Sequence, residues 1–246
     1  MLERNQIYCM DAFELMAQLP DNSVDMVLTD MPYNITACEW ESEIDLAQFW
    51  LHVRRIVKPK AAVVCTASQP FTSRLVMSNI LCFRHEWIWE KSQGTGYLNA
   101  NRAPMKSHEN ILAFALQAPD YYPQLEKGQP YRATRGAVGG FVHDKTVGGY
   151  TTENNGSRYP KTILHYDNET GLHPTQKPVA LFEYLIRTYT QAGDLVLDPF
   201  IGSGTTAIAA RNLGRQFIGC DLSQEYVDIA NKRLAQPYNV PLPGLE

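Results

Sequence analysis

The feature that most constrains the fold is a glycine-containing turn between an apolar run and a helical pattern late in the chain. Residues 198–206 read DPFIGSGTT, after the apolar run 195–197 and at the start of a helical pattern over 203–213. A second apolar run over 216–220 then ends in Asp221. Strand, helix and strand in this order indicate parallel pairing, with the helix packed on the sheet.

A second unusual turn lies near the start of the chain. The apolar run 24–28 is followed by residues 29–34, TDMPYN. Pro32 has no N–H for a central ladder, so the chain must turn at the carboxyl end of this strand, where open α/β sheets place their sites. Asp30, Pro32 and Tyr33 combine a hydrogen-bond acceptor, a rigid backbone and a flat ring, which suits a planar amine-bearing ring. An ordinary turn is the alternative, since Asp and Pro are common in turns.

The same alternation of strands and helices extends over most of the chain. Strands are predicted at 5–9, 61–66, 84–89 and 110–116, and helices at 11–19, 44–57, 69–80, 178–189 and 223–234. Residues 118–171 interrupt this pattern with many Gly, Tyr, Asn, Thr and Arg residues. We interpret them as a small inserted recognition region; a disordered surface excursion is the alternative.

Composition excludes several classes of protein. The chain has 246 residues, 44% of them hydrophobic, which suits one large α/β domain with an insertion and argues against wholesale disorder. A net charge of −4 means that any nucleic-acid contact must come from a local basic patch. The five scattered cysteines contain no C-x-x-C pair, which argues against a metal site or a disulfide framework. With no signal peptide or membrane span in the pattern, a cytoplasmic protein is expected.

The glycine turn also matches a nucleotide-binding pattern. Gly202, Gly204 and Ala207 have the spacing of the dinucleotide fingerprint, and Asp221 ends the following strand at about the expected distance. An acidic residue there can accept both hydroxyls of an adenosine ribose. The pattern therefore indicates an adenosine-type cofactor, and leaves NAD and S-adenosylmethionine both open.

Taken together, the motifs resemble those of the β-class amino DNA methyltransferases. TDMPYN is similar to their D-P-P-Y motif, and DPFIGSGT to their F-x-G-x-G motif. Residues 173–178, HPTQKP, resemble the H-P-x-x-K-P segment that precedes the glycine motif in this class. WIWEK at 87–91 and HENIL at 108–112 are similar to family segments that bracket a flexible loop near the DNA. Met31 departs from the family, which usually has Pro there.

The resemblance implies a Rossmann-like methyltransferase fold: a doubly wound, mostly parallel sheet with an antiparallel edge strand and a small inserted recognition region. It divides the chain into a catalytic half (1–117), an inserted DNA target-recognition region (118–171), a cofactor-binding half (172–236) and a tail (237–246). The implied reaction moves a methyl group from S-adenosylmethionine to N6 of an adenine flipped out of double-stranded DNA. An Asp at position 30 favours adenine over cytosine.

The resemblance also implies roles for individual residues. Asp30 and the carbonyl of Pro32 would accept the two amine hydrogens, and the base would stack on Tyr33. Asp11 would lie at the adenine end of the cofactor, Asp221 at its ribose, and Lys177 near its methionine carboxylate, or else in solvent as a plain cation. The complete implied cofactor set is Asp11, His173, Lys177, Asp198, Phe200, Gly202, Gly204, Thr205 and Asp221.

DNA contacts are expected from basic residues, each of which is alternatively a plain surface charge. These residues are Lys91, Arg102, Lys106, Arg132, Arg135, Arg158 and Lys161. A homodimer is expected on the resemblance alone. Alternatives that stay open are an N4-cytosine, RNA or protein-glutamine methyltransferase and, outside this class, a nicotinamide-dependent oxidoreductase, which would give Asp30 and Tyr33 no role.

Overall fold

The structure, a computed structural model, describes residues 2–33, 44–136, 138–140, 143–147, 149–169 and 176–236. The larger unit of the chain contains strands β1–β5 and β12–β14, and the smaller unit contains β6–β11. The strands are β1 (Gln6–Cys9), β2 (Val24–Thr29), β3 (Val57–Ala67), β4 (Phe83–Thr95), β5 (Lys106–Phe114), β6 (Glu126–Lys127), β7 (Tyr131–Arg135), β8 (Val138–Gly140), β9 (His143–Val147), β10 (Tyr150–Asn154), β11 (Ser157–Arg158), β12 (Ile163–Tyr166), β13 (Leu195–Asp198) and β14 (Gln216–Asp221).

The larger unit is built on an eight-stranded sheet with the order β1-β14-β13-β2-β3-β5-β4-β12. All neighbouring strands pair in parallel except β5, which is antiparallel to both β3 and β4. The predicted mostly parallel fold is therefore confirmed. Its antiparallel strand β5 is internal, however, because it lies between β3 and β4. The edge strand on this side is β12, which pairs in parallel with β4.

Helices cover both faces of this sheet. They are α1 (Ala12–Gln18), α2 (Leu46–Ile56), α3 (Phe71–Ser78), α4 (Val179–Tyr189), α5 (Thr205–Asn212) and α6 (Gln224–Leu234), with a short 3-10 turn at Tyr97–Asn99. Alternate strand residues point to opposite faces. Val27 accordingly lies in the core beneath α1, α2 and α3, whereas Met26 and Leu28 lie in the core beneath α4, α5 and α6.

The helix starts follow the sequence signals. Asp11 caps α1 by accepting from the N–H groups of Phe13 and Glu14, at 2.8 and 3.1 Å. Asp45 caps α2 and Ser223 caps α6 in the same way, as expected for side chains that satisfy free N–H groups. None of the helices in the described part of the chain has the length and apolar character that a membrane span requires.

The smaller unit is Pro123–Lys161, which lies within the irregular segment noted in the sequence. Its strands form three antiparallel pairs: β7 with β10, β6 with β11, and β8 with β9. The predicted turn at Asn155 and Gly156 links β10 to β11, and Gly156 has a left-handed φ of 101°. Arg158 lies over the ring of Tyr131, 4.7 Å from the centroid, and contacts Asn154, so this arginine supports the unit's own structure.

Candidate active site

The two motif turns lie on adjacent strands although almost 170 residues separate them. Strands β2 and β13 pair in parallel, with Leu197 opposite Val27. At their carboxyl ends the Thr29 hydroxyl donates to Asp198 Oδ1 at 2.7 Å, and this bond is buried. Tyr33 and Phe200 both pack, partly buried, against the core cluster on the α1–α3 face. The fold therefore brings the acidic turn and the glycine turn together at one edge of the sheet.

Asp30 is surrounded by hydrogen-bond donors. The Lys177 ammonium lies 2.6 Å from its Oδ2, and the hydroxyls of Thr66 and Tyr33 both contact its Oδ1. Burial alone raises the pKa of Asp30, but the Lys177 charge and the three donors outweigh it, so the pKa lies below the ordinary 3.8. Asp30 is thus a carboxylate at neutral pH, and it can act as an acceptor.

The Tyr33 ring is held from one side. It stacks on Phe71 of α3, with centroids 5.3 Å apart and an interplanar angle of 29°, and its hydroxyl lies 2.9 Å from that of Thr66. Burial and the negative charge of Asp30 raise the pKa of Tyr33 well above 10, so the phenol stays neutral. Met31, which replaces the family's usual Pro, is only 1% exposed and packs into the core on this face.

Lys177 and Lys91 occupy positions that differ from the sequence expectation. Lys177, expected near the cofactor's carboxylate, lies between Asp30 and Glu109, whose Oε2 is 3.3 Å from its ammonium. Lys91, expected to contact DNA, is paired with Glu109 Oε1 and lies 5.0 Å from the centre of the Trp89 ring. Both ammoniums are therefore held by carboxylates in the site, because Glu109 at the start of β5 lies opposite Trp89 of β4.

The two glycines of the glycine turn have different neighbours. Gly202 has a φ of 48°, and a Cβ added there would meet no atom within 4 Å, so the backbone faces open space. Gly204 has a φ of 86°, but its missing side chain makes room for helix α6, since a Cβ would lie 2.7 Å from the Cβ of Ala230. The Gly202 N–H donates to Asp221 Oδ2 at 3.1 Å. Gly202 is thus the glycine open to a ligand.

Asp198 is a structural residue in this arrangement. It is buried and accepts hydrogen bonds from the hydroxyls of Thr29 and Thr206 and from the N–H of Phe200. Burial raises the pKa of its carboxyl to about 7. Both carboxylate oxygens thus tie β13 to β2 and α5, which differs from the direct cofactor contact that the motif implied.

This buried carboxyl should make the protein less stable as pH rises. Its folded pKa lies above its unfolded value, so the unfolded state ionises first, and the free energy of unfolding falls between about pH 4 and pH 7. Between about pH 5 and pH 8 this group alone should remove on the order of 2–3 kcal/mol, since each pKa unit is about 1.4 kcal/mol.

Asp198→Asn should remove this contribution. The amide can donate to the Thr206 hydroxyl, which lies 3.4 Å from the carbonyl of Leu28 and can donate there. Urea unfolding of the wild type and of Asp198→Asn at several pH values measures the difference. Equal pH slopes for the two proteins would contradict the assignment.

The remaining predicted site residues are either buried, exposed or outside the described residues. Thr205, at the start of α5, is buried, and its hydroxyl lies 3.4 Å from the Lys177 carbonyl. Arg102 and Lys106 are exposed near the β4–β5 connection, and Arg132 is exposed and lies 3.4 Å from Glu153. His173 and the Arg135 side chain lie outside the described residues.

Sequence reasoning missed three residues that shape the site. Thr66 is a single hydroxyl in an apolar strand, and it gave no signal of its contact with Asp30. Glu109 belongs to the HENIL segment, where it directly precedes a buried run. A charge in that position could have marked it as a candidate site residue. Glu169 accepts from the Val179 N–H and from the Gln176 side chain, both at 2.9 Å, and so caps α4 beside Lys177.

The fold and the paired turns are those of a Rossmann-like methyltransferase domain. A family model described as "DNA methylase" (N6/N4 methyltransferases) matches residues 24–232. The chain belongs to this N6/N4 DNA methyltransferase family.

Individual relatives agree with this assignment. The chain is 55% identical to the Type II methyltransferase M2.LlaDCHI of Lactococcus lactis subsp. cremoris, over 91% of this chain and 87% of that one. It is 30% identical to M1.MboII of Moraxella bovis, over 96% of this chain and 98% of that one. Among solved structures, the M1.HpyAVI–SAM complex superposes with a TM-score of 0.64 at 27% identity, covering 93% of this chain and 98% of that chain.

S-adenosylmethionine is the cofactor of this family, and the residues present fit it. Open space at Gly202 leaves room for a ligand against the backbone. Asp221, whose oxygens accept from the N–H groups of Gly202 and Ser223, lies at the end of β14, where an acidic residue can accept ribose hydroxyls. The oxidoreductase alternative is set aside by the family membership.

Proposed function

We propose that this chain methylates the exocyclic N6 of adenine, at specific sites in double-stranded DNA, as a modification enzyme of the Type II kind. The observation that carries the proposal is the Asp30 carboxylate, held ionised at the end of β2 beside the Tyr33 ring. An adenine amine is a poor nucleophile because its lone pair is delocalised into the ring. An ionised acceptor aimed at its hydrogens is what the reaction requires.

The chain's own residues orient the amine. Asp30 and the backbone carbonyl of Pro32 accept its two hydrogens, which biases the nitrogen toward a tetrahedral form with an exposed lone pair. The Tyr33 ring, supported from behind by Phe71, offers a stacking surface for the flipped base. Because the acceptors are fixed before the base arrives, proximity and orientation supply most of the rate.

The glycine turn and the end of β14 hold the methyl donor. S-adenosylmethionine supplies an electrophilic methyl group when it is bound. Gly202 would allow close backbone approach, and Asp221 would accept the ribose hydroxyls. Phe200 and Thr205, from the family motif, would border the methionine side. Asp11, at the end of β1 next to the Asp221 strand, borders the adenine end.

DNA contact in this proposal comes from two places. Residues 91–106 contain no acidic residue, and their Arg102 and Lys106 side chains are exposed near the carboxyl edge that holds Asp30. Lys91 of the same segment is paired with Glu109 instead. The unit Pro123–Lys161, with its exposed Arg132, is the proposed target-recognition region. A homodimer is part of the same proposal, and sedimentation velocity tests it.

Nucleoside analysis tests the proposed substrate directly. Double-stranded DNA is incubated with the protein and S-adenosylmethionine, digested, and separated by mass spectrometry. We expect N6-methyladenine, and none in an incubation that lacks the methyl donor. Finding only N4-methylcytosine would overturn the adenine assignment while leaving the amino-methyltransferase assignment intact.

The N6/N4 family leaves an N4-cytosine substrate as the alternative. The solved structure described as PvuII DNA methyltransferase (cytosine-N4-specific) shares this fold with a TM-score of 0.67, at 18% identity. Both bases present an exocyclic amine next to a ring nitrogen, so the same acceptors serve either one. The Asp at position 30 is what favours adenine.

A further inference from the structure

Four charged side chains form a continuous row beside the amine-acceptor site. Asp30, Lys177, Glu109 and Lys91 alternate in sign, so their charges cancel. Their side chains are 24%, 6%, 14% and 12% exposed, in that order. Partly buried charges are costly unless they are paired, so each member depends on its neighbours in the row.

The central ammonium lies between two unequal acceptors. Lys177 Nζ is 2.6 Å from Asp30 Oδ2 and 3.3 Å from Glu109 Oε2. Glu109 Oε2 is buried and accepts no hydrogen bond of good geometry from the described residues. Its other oxygen, Oε1, is held by Lys91. Glu109 therefore presents a fixed carboxylate oxygen with unused acceptor capacity toward the Lys177 ammonium.

A target amine and the Lys177 ammonium compete for the same oxygen of Asp30. Each carboxylate oxygen has about two lone-pair sites, and the hydroxyls of Thr66 and Tyr33 both contact Oδ1. The open site is therefore on Oδ2, where the Lys177 ammonium already lies at 2.6 Å. A target amine must bind the same carboxylate. An ammonium that lost this partner inside the site would carry a large penalty without a second acceptor.

We propose that Glu109 is a positioning residue that takes over the Lys177 ammonium when the target amine occupies Asp30. This inference rests on the proposed amine-acceptor role of Asp30. The required movement is short, because Glu109 Oε2 is already 3.3 Å from the ammonium. Lys91 holds Glu109 in place, which gives this lysine a function inside the site.

Glu109→Gln tests the transfer. The amide can accept a hydrogen bond but carries no charge, so the ammonium stays on Asp30 and competes with the amine. We expect kcat to fall by about tenfold or more, as for other broken buried charge pairs, with the Kd for S-adenosylmethionine changed less than about threefold. Single-turnover methylation and calorimetry measure the two quantities.

A double-mutant cycle with Lys177→Met separates positioning from general damage. If Glu109 acts through Lys177, adding Glu109→Gln to Lys177→Met should change the single-turnover rate by less than about threefold. Rate losses that multiply in the double variant would overturn the inference, as would a Glu109→Gln rate equal to wild type. If Lys177→Met shows no turnover, Glu109→Asp decides: it should retain more activity than Glu109→Gln, and equal losses would overturn the inference.

Controls keep this result separate from the proposed function. Glu90→Gln changes an exposed acid of β4 that pairs with His165 and lies one residue from Trp89. It should methylate like the wild type. Circular dichroism checks that each variant is folded, and Glu109→Asp replaces Glu109→Gln if the latter is not. Failure of the inference leaves N6-methyladenine formation by the wild type intact, whereas failure of the proposed function removes that product itself.

Discussion

Asp30→Ala should lower methyl transfer by about 10³-fold or more, because it removes the acceptor that orients the amine, and such groups supply much of an enzyme's rate. Cofactor affinity should stay within a few fold of wild type. The reason is structural: the proposed donor contacts at Gly202 and Asp221 belong to the β13 and β14 ends of the sheet, while Asp30 follows β2. Radiolabelled methyl transfer and calorimetry with S-adenosylmethionine measure the two effects.

Two further variants test whether methyl transfer depends on the negative charge of Asp30 in particular. Asp30→Asn keeps the shape and the neighbouring hydroxyls but replaces one acceptor oxygen with a donor, so it should be almost as inactive. Asp25→Asn changes another carboxylate of β2 that also pairs with a lysine, Lys58, at 2.5 Å. That residue lies at the opposite end of the strand, so its loss should leave turnover unchanged. Undiminished methylation by Asp30→Ala would refute the amine-acceptor role.

The second large effect is expected from Gly204→Ala, and it is on stability. The new Cβ would lie 2.7 Å from the Cβ and 3.1 Å from the Cα of Ala230, at a φ of 86°. Overpacking costs about 1–3 kcal/mol, and a left-handed non-glycine residue costs about 1–2 kcal/mol, so we expect a loss of about 2–5 kcal/mol. Denaturant unfolding measures this loss.

Gly202→Ala is the matched control two residues away. It also has a positive φ, but its Cβ meets no atom within 4 Å, so only the conformational cost of about 1–2 kcal/mol applies. Its larger effect should be on the cofactor, whose Kd should rise by about tenfold or more, because the added methyl fills space that the ligand needs. Equal destabilisation by the two variants, with equal effects on cofactor affinity, would contradict this division of roles.

Much of the architecture was predictable from local patterns. Apolar runs ending in Asp30, Asp198 and Asp221 indicated strands that finish at one sheet edge, and the structure has all three there. The caps at Asp11 and Ser223 were readable because capping is decided by residues within one helical turn. The internal position of the antiparallel strand was not readable, since it depends on the pairing of β5 with β3, which joins residues more than 40 positions apart.

The site was predictable in its residues and less so in their contacts. Asp30 and Tyr33 were identified from a short motif, whereas Thr66 gave no local signal because its role depends on a contact 36 residues away. Lys91 was predicted to contact DNA, and the structure pairs it with Glu109. A side chain's partner depends on strand register, which no short stretch of sequence contains.

The sequence by itself determined the elements and the chemistry available: parallel strands, capped helices, an acidic turn and a glycine turn. These features are determined locally, since backbone stereochemistry, hydrophobic periodicity and helix capping each depend on only a few neighbouring residues. Only the tertiary structure decided that Lys177 lies on Asp30, that Glu109 lies beside it, and that Gly204 makes room for Ala230. Those relations arise when the sheet aligns distant strand ends, and their energies depend on burial that exists only in the folded chain.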